Sequence, residues 1–203
     1  MNHANLKQQA KADIRENYSP WLLFAVVTII LSSYQFVSQT NQTDVYGYVS
    51  RNIQLQARLF DLIQLILVVP FTRLAIHLTT NTYSSMKDSM FKNELWLRDI
   101  GAMLLVSIYT FLWTLLFIIP GIVMSYAYYF VPYILAEDNS ISISEAILLS
   151  RKMTEGYKFD LFILDFSFIL WNLASLLTFG LVALYVIPYK EATRAHYYLK
   201  LSR

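Results

Sequence analysis

From Ile100 to Ala136 the chain carries no Asp, Glu, Lys, Arg or His. One helix needs only about 20 apolar residues to cross the hydrocarbon of a bilayer, so this stretch is long enough for more than one crossing. Pro120-Gly121 divides it and is a strong turn signal. The reading is therefore two spans, 100–119 and 122–136, joined by a tight hairpin. The whole composition agrees, with 56% hydrophobic and 15% charged residues, against about 25% charged in an average soluble domain.

The remaining apolar segments extend this to an all-α, polytopic bundle of about six spans, a single transmembrane domain over 1–203. The further spans are 21–37, 59–79, 159–177 and 181–198. Residues 1–19 precede them as an amphipathic helix in which Leu6, Ala10 and Ile14 recur every four residues beside Lys7, Lys11 and Arg15. Such a stripe suits either an anionic membrane surface or an ordinary solvated lead-in. Trp21 is placed to anchor the interface.

Of the 16 Lys and Arg, all but Arg51, Arg58 and Arg73 fall on one side of a six-span chain. Cytoplasmic segments are enriched in Lys and Arg, so both termini are expected in the cytoplasm of a multi-pass cell-membrane protein. A five-span chain with 122–136 lying flat would put Arg151, Lys152 and Lys158 outside, against that rule.

Ser142-Ile143-Ser144-Glu145 reads as a capping box that opens a helix over 142–156, ended by Gly156. This short cytoplasmic helix presents Ile143, Ile147 and Met153 on one face. It is either a connector resting on headgroups or a docking helix for a cytoplasmic or membrane protein partner. Val69-Pro70-Phe71, Val131-Pro132-Tyr133 and Ile187-Pro188-Tyr189 repeat one pattern in the even-numbered spans. Pro70, Pro132 and Pro188 should each kink a helix and free the carbonyl four residues earlier. They are either three related hairpins lining a cavity or a coincidence of tripeptides. Tyr126, Tyr128, Tyr129 and Tyr133 either line a groove or serve as packing anchors.

Intramembrane charges usually face the bundle interior and find partners. Arg73 and Asp165 fall at equal depth in the second and fifth spans, so an ion pair is expected, with His77 on the Arg73 face joining it. The alternative is that Arg73 snorkels while Asp165 bonds a hydroxyl such as that of Ser167. Arg58 is expected to satisfy Asp61.

The second half resembles a bacterial integral membrane family catalogued as a domain of unknown function (number nine-seven-five). The residues that carry the likeness are Ile119-Pro120-Gly121-Ile122, Tyr126 to Ala136, Ser144-Glu145-Ala146-Ile147 and Ser150 to Gly156. They continue through Leu164-Asp165-Phe166-Ser167-Phe168, Trp171, Leu177-Thr178-Phe179-Gly180, Pro188-Tyr189 and Ala192-Thr193. The resemblance implies a multi-span membrane protein and no particular activity. That family is distantly similar to the membrane domain of some glycerophosphodiester phosphodiesterases.

The absence of cysteine excludes disulfides and thiolate chemistry. The scattered His3, His77 and His196 make no metal-ligand spacing, and no nucleophile triad or phosphate-binding loop is visible. No enzyme and no cofactor are expected, and the small net charge of +2 gives no reason for a nucleic-acid partner. Membrane lipids are the certain neighbours of such a chain. The leading expectation is an interaction or accessory protein of the cell envelope. The alternative is a carrier or permease-like subunit for a lipid, peptide or small amphiphile.

Overall fold

The computed structural model describes residues 3–40, 51–91, 96–178 and 180–203, and these form helices and turns with no strand. The loop around Gly47 lies outside the described residues, as do the side chains of residues 51–61 and with them the expected contact of Arg58 with Asp61. In chain order the helices are α1 (His3–Glu16), α2 (Tyr18–Thr40), α3 (Arg51–Thr79), α4 (Met86–Phe91) and α5 (Trp96–Leu116). They continue as α6 (Ile118–Ala127), α7 (Val131–Glu137), α8 (Ile143–Met153), α9 (Lys158–Phe166), α10 (Ile169–Leu177) and α11 (Ala183–Ser202).

Four stretches are long and apolar enough to cross a membrane: Leu62–Thr79, Trp96–Leu116, Ile118–Glu137 and Lys158–Leu177. The described part of α2, Tyr18–Leu31, is apolar but shorter. Helix α11 carries Lys190, Glu191 and Arg194 in its middle, which keeps it out of that set. The outer parts of the crossing helices stay bare. Leu115, Ile119, Leu170 and Leu177 are each more than 70% exposed, an apolar surface of the extent that marks membrane contact.

The hairpin after the third span differs from its sequence reading. Its break lies at Phe117, extended at φ −157° and ψ 143°, and α6 already begins at Ile118. Pro120 therefore sits in the first turn of α6, where a backbone N–H has no intrahelical partner to lose. The fourth span is accordingly Ile118–Glu137 and not 122–136. Gly121 serves packing here. A Cβ at this position would lie 2.7 Å from the Thr114 Cα, so glycine lets α5 and α6 approach closely. The turn into α11 is a different case: Gly180 has φ +88°, a conformation that costs glycine little.

The stretches Ile118–Glu137 and Lys158–Leu177 are each interrupted. Tyr128–Phe130 separate α6 from α7, and Ser167–Phe168 separate α9 from α10. Pro132 thus lies in the first turn of α7 and does not kink a continuous helix. The Tyr128 carbonyl that it was expected to free accepts from the Val131 N–H at 3.2 Å. Pro70 and Pro188 do lie inside helices.

Helix α1 turns its apolar stripe to the other helices of the bundle. Its stripe of Leu6, Ala10 and Ile14 is buried, and α1 packs against α11, α2 and α3. Apolar burial alone would not decide between the bundle and the lipid, because either removes the stripe from water. The polar residues decide it. His3 Nε2 lies 3.0 Å from Asp160 Oδ2, and His196 Nε2 lies 2.5 Å from Asp13 Oδ2. Lys7 Nζ donates to Ser167 Oγ at 2.6 Å and lies over the Phe168 ring. Burial and the neighbouring Lys11 push the Lys7 ammonium below its ordinary pKa. A lipid surface offers no such set of fixed partners. Trp21 is likewise a core residue, fully buried with Phe24 edge-on to it, and not an interface anchor.

Candidate functional site

The site begins at the break in the fourth span. Interrupting a helix leaves backbone groups without their regular partners, and here α8 supplies replacements. Ser150, fully buried, donates to the Ala127 carbonyl at 2.9 Å and accepts from the Phe130 N–H at 3.2 Å. Thr154, also buried, adds a longer contact to the same carbonyl at 3.4 Å. Helix α8 has the capping box its sequence announces: the Glu145 N–H donates to Ser142 Oγ, and the Ser142 N–H donates to Glu145 Oε2 at 3.0 Å. The Ser142 hydroxyl also donates to Glu145 Oε2 at 2.6 Å, and this bond, with that of the Ser142 N–H, holds the Glu145 carboxyl below its ordinary pKa. Ala146, Ile147 and Ser150 form its buried face. Ile143 and Met153 are half-buried and pack against the same core. The residues expected to dock a partner are therefore occupied by the chain's own helices, while Leu148 and Leu149 face outward.

The break redirects the tyrosines that follow it. Tyr129 donates to Asp165 Oδ1 at 3.2 Å, and Tyr133 donates to Glu191 Oε2 at 3.0 Å. Tyr126 stacks on Tyr129 and reaches Asp165 Oδ2 at 3.5 Å. On α11, Arg194 bridges the two carboxylates, donating Nη2 to Asp165 Oδ1 and Nη1 to Glu191 Oε1, each at 2.9 Å. Its guanidinium carbon lies 5.1 Å from the Tyr129 ring centroid. Lys190 Nζ lies 3.7 Å from Asp165. Two cations and two carboxylates balance, as charges withdrawn from water must. The Arg194 Nε is buried and has no hydrogen-bond partner among the described residues.

Arg194 and Glu191 form the polar end of a cavity of about 270 Å³. Phe24 and Thr28 of α2 line it, with Val68, Phe71 and Thr72 of α3, Pro132 and Tyr133 of α7, and Ile187 of α11. All three proline motifs thus contribute to one cavity, through Phe71, Pro132-Tyr133 and Ile187. The two hydroxyls on its apolar side are turned to backbone carbonyls, Thr28 to Phe24 at 2.8 Å and Thr72 to Val69 at 2.8 Å. Its walls are therefore chemically apolar away from α11.

The expected pair of Arg73 with Asp165 is not formed. Arg73, 4% exposed, sends Nη2 to Asp99 Oδ2 at 3.5 Å, Nε to the Ala136 carbonyl and Nη1 to the Met90 carbonyl, both at 3.2 Å. Asp99 also accepts from Arg98 at 2.9 Å. Arg98 Nη1 in turn donates to the Asn139 carbonyl at 2.6 Å and ties the start of α5 to the end of α7. His77 is half-buried on α3, outside the Asp165 cluster. Equal depth does not fix azimuth. Arg73 faces α5 and α7, while Asp165 faces α11. Asp99 lies among the charged residues at the start of α5, and nothing local in the sequence marks it as the partner of Arg73. The spacing of Glu191 and Arg194, one helical turn apart, was the available signal for the Asp165 cluster. Among the described residues no group of His, Asp and Glu could hold a metal ion.

No curated protein and no solved structure matches the chain, and nothing in these comparisons carries the distant likeness to phosphodiesterase membrane domains. A family model does match, over residues 59–203, from the start of the second apolar segment to the last residue and across every group of the cluster. The match reaches well upstream of the motifs around Pro120 that carry the resemblance in sequence. The chain belongs to the family described as Protein of unknown function (DUF975).

Proposed function

We propose that this is a six-span membrane protein with cytoplasmic termini that binds a small amphiphile in the cavity where the three proline motifs meet, without catalysing a reaction on it. The carrying observation is the cavity's asymmetry. Its charged lining is Arg194 and Glu191, both on α11, and the rest is aromatic, aliphatic or a threonine turned to backbone. Ligand sites commonly combine an apolar lining with a few convergent polar groups. Charge balance at the polar end favours a neutral or zwitterionic head over a bare ion. A volume of about 270 Å³ suits one acyl chain or a compact amphiphile and not a whole lipid.

The experiment is native mass spectrometry of the chain released from lipid nanodiscs, comparing the natural protein with Thr28→Trp and Val68→Trp. Each tryptophan fills the cavity from one wall. The natural protein retains a bound amphiphile and both variants lose it; equal retention in all three overturns the reading. Topology is tested separately. Because the chain has no cysteine, one introduced at Gly47 should react with an impermeant reagent in intact cells, and one at Asn139 should not. Labelling of both from outside refutes the six-span orientation.

A further inference from the structure

A second cavity, of about 640 Å³, opens where α1, the end of α3 and the end of α11 meet. Its lining differs in kind from that of the first. His196, Lys200 and Arg203 lie at i, i+4 and i+7, one stripe of α11. Asn5 and Gln9 face them from α1 at i and i+4, and Thr79, Thr80 and Asn81 form the floor. Only Leu6 and Leu199 are apolar, and the lining contains no Asp or Glu side chain. Asp13, the nearest carboxylate in the chain of contacts, is engaged by His196.

Simpler explanations cover parts of this arrangement. The helix dipole favours a cation in the last turn of α11, which accounts for Lys200. The left-handed Asn81, at φ +55°, ends α3 through the bond of the Thr82 N–H to the His77 carbonyl at 3.0 Å. Neither accounts for two side-chain amides of a separate helix facing two cations across a shared cavity. In the first cavity every charge has an opposite partner; here Lys200 and Arg203 have no ion pair among the described residues. The floor at Thr79 is also the end of a membrane-crossing stretch, the level at which headgroups lie. Basic pockets between helix ends at that level suit anionic headgroups.

We infer that this cavity binds a phosphate group, carried by an anionic lipid headgroup or free in the cytosol, through Lys200 and Arg203 with Gln9 as a neutral donor. Bidentate donation by arginine suits phosphate oxygens. The site joins α1 to the bundle, so occupancy stabilises the fold by mass action. The inference does not depend on the amphiphile cavity.

The test measures the unfolding midpoint of the full chain in nanodiscs of phosphatidylcholine alone, or with a minor share of phosphatidylglycerol, at fixed ionic strength. A third arm adds inorganic phosphate to the phosphatidylcholine discs. The expected result is a rise of several degrees with phosphatidylglycerol. Lys200→Ala/Arg203→Ala should lose more than half of it. Lys152→Ala/Lys158→Ala, on the separate basic surface of α8 and α9, should keep it. Gln9→Glu, which leaves both cations in place, should lose it as well and guards against a misfolded double variant. A rise with inorganic phosphate alone identifies the free ion as a sufficient ligand, and a rise with lipid only identifies the headgroup. No rise in either arm, or a full rise in both Lys200→Ala/Arg203→Ala and Gln9→Glu, overturns the inference.

Discussion

Asp99→Leu should lower the stability of the protein by about 3–5 kcal/mol, the cost of leaving a buried cation without its partner. Asp99 is 5% exposed and accepts from two arginines, Arg73 and Arg98. Removing it strands Arg73 beside two backbone carbonyls. The carbonyls satisfy its N–H groups but carry no full charge to offset desolvation. Arg73→Leu should cost less, because Asp99 keeps Arg98. In the double variant the losses should fall short of their sum by about 0.5–3 kcal/mol, the coupling expected of groups in contact. Arg73→Leu with Asp165→Leu should instead add to within about 0.5 kcal/mol, since the two share no partner. Equilibrium unfolding in a fixed detergent–lipid mixture reads all of these. Coupling between Arg73 and Asp165, or none between Arg73 and Asp99, would show that the azimuth of α3 is wrong.

The second large effect belongs to the hairpin. Gly121→Leu should destabilise the protein by at least the roughly 1–3 kcal/mol of an overpacked core site. A Cβ there meets the Thr114 Cα at 2.7 Å and the Thr114 Oγ1 at 2.3 Å. A hydroxyl can rotate away, but the backbone of α5 cannot, so the hairpin must open. Pro120→Leu should be nearly neutral, because Pro120 lies in the first turn of α6 and the break is already made at Phe117. A turn set by Pro120-Gly121 themselves would give the reverse, with Pro120→Leu disturbing the chain downstream. Thermal unfolding of the two single variants separates the cases. Comparable losses in both would sink the assignment of the break to Phe117.

The sequence alone determined what is local. The charge-free run over Ile100–Ala136 demanded membrane-crossing helices, because apolar length is a property of neighbouring residues. The capping box at Ser142 and Glu145 is likewise legible, since both partners lie within one helical turn. The family match over 59–203 extends a likeness already carried by motifs around Pro120, Ser150 and Asp165.

Tertiary structure alone decided which faces meet. A stripe such as Leu6, Ala10 and Ile14 shows that a helix has an apolar side; only the His3, Asp13 and Lys7 contacts show that the side rests on the bundle and not on lipid. Depth along a span can be counted in residues, but azimuth depends on how neighbouring helices pack. Arg73 therefore met Asp99, and Asp165 met Arg194. The breaks at Tyr128–Phe130 and Ser167–Phe168 differ in this respect. At the first, Ser150, distant in sequence, satisfies backbone groups that a lone helix segment would leave unpaired; at the second the backbone pairs locally, and Lys7 reaches only the Ser167 hydroxyl.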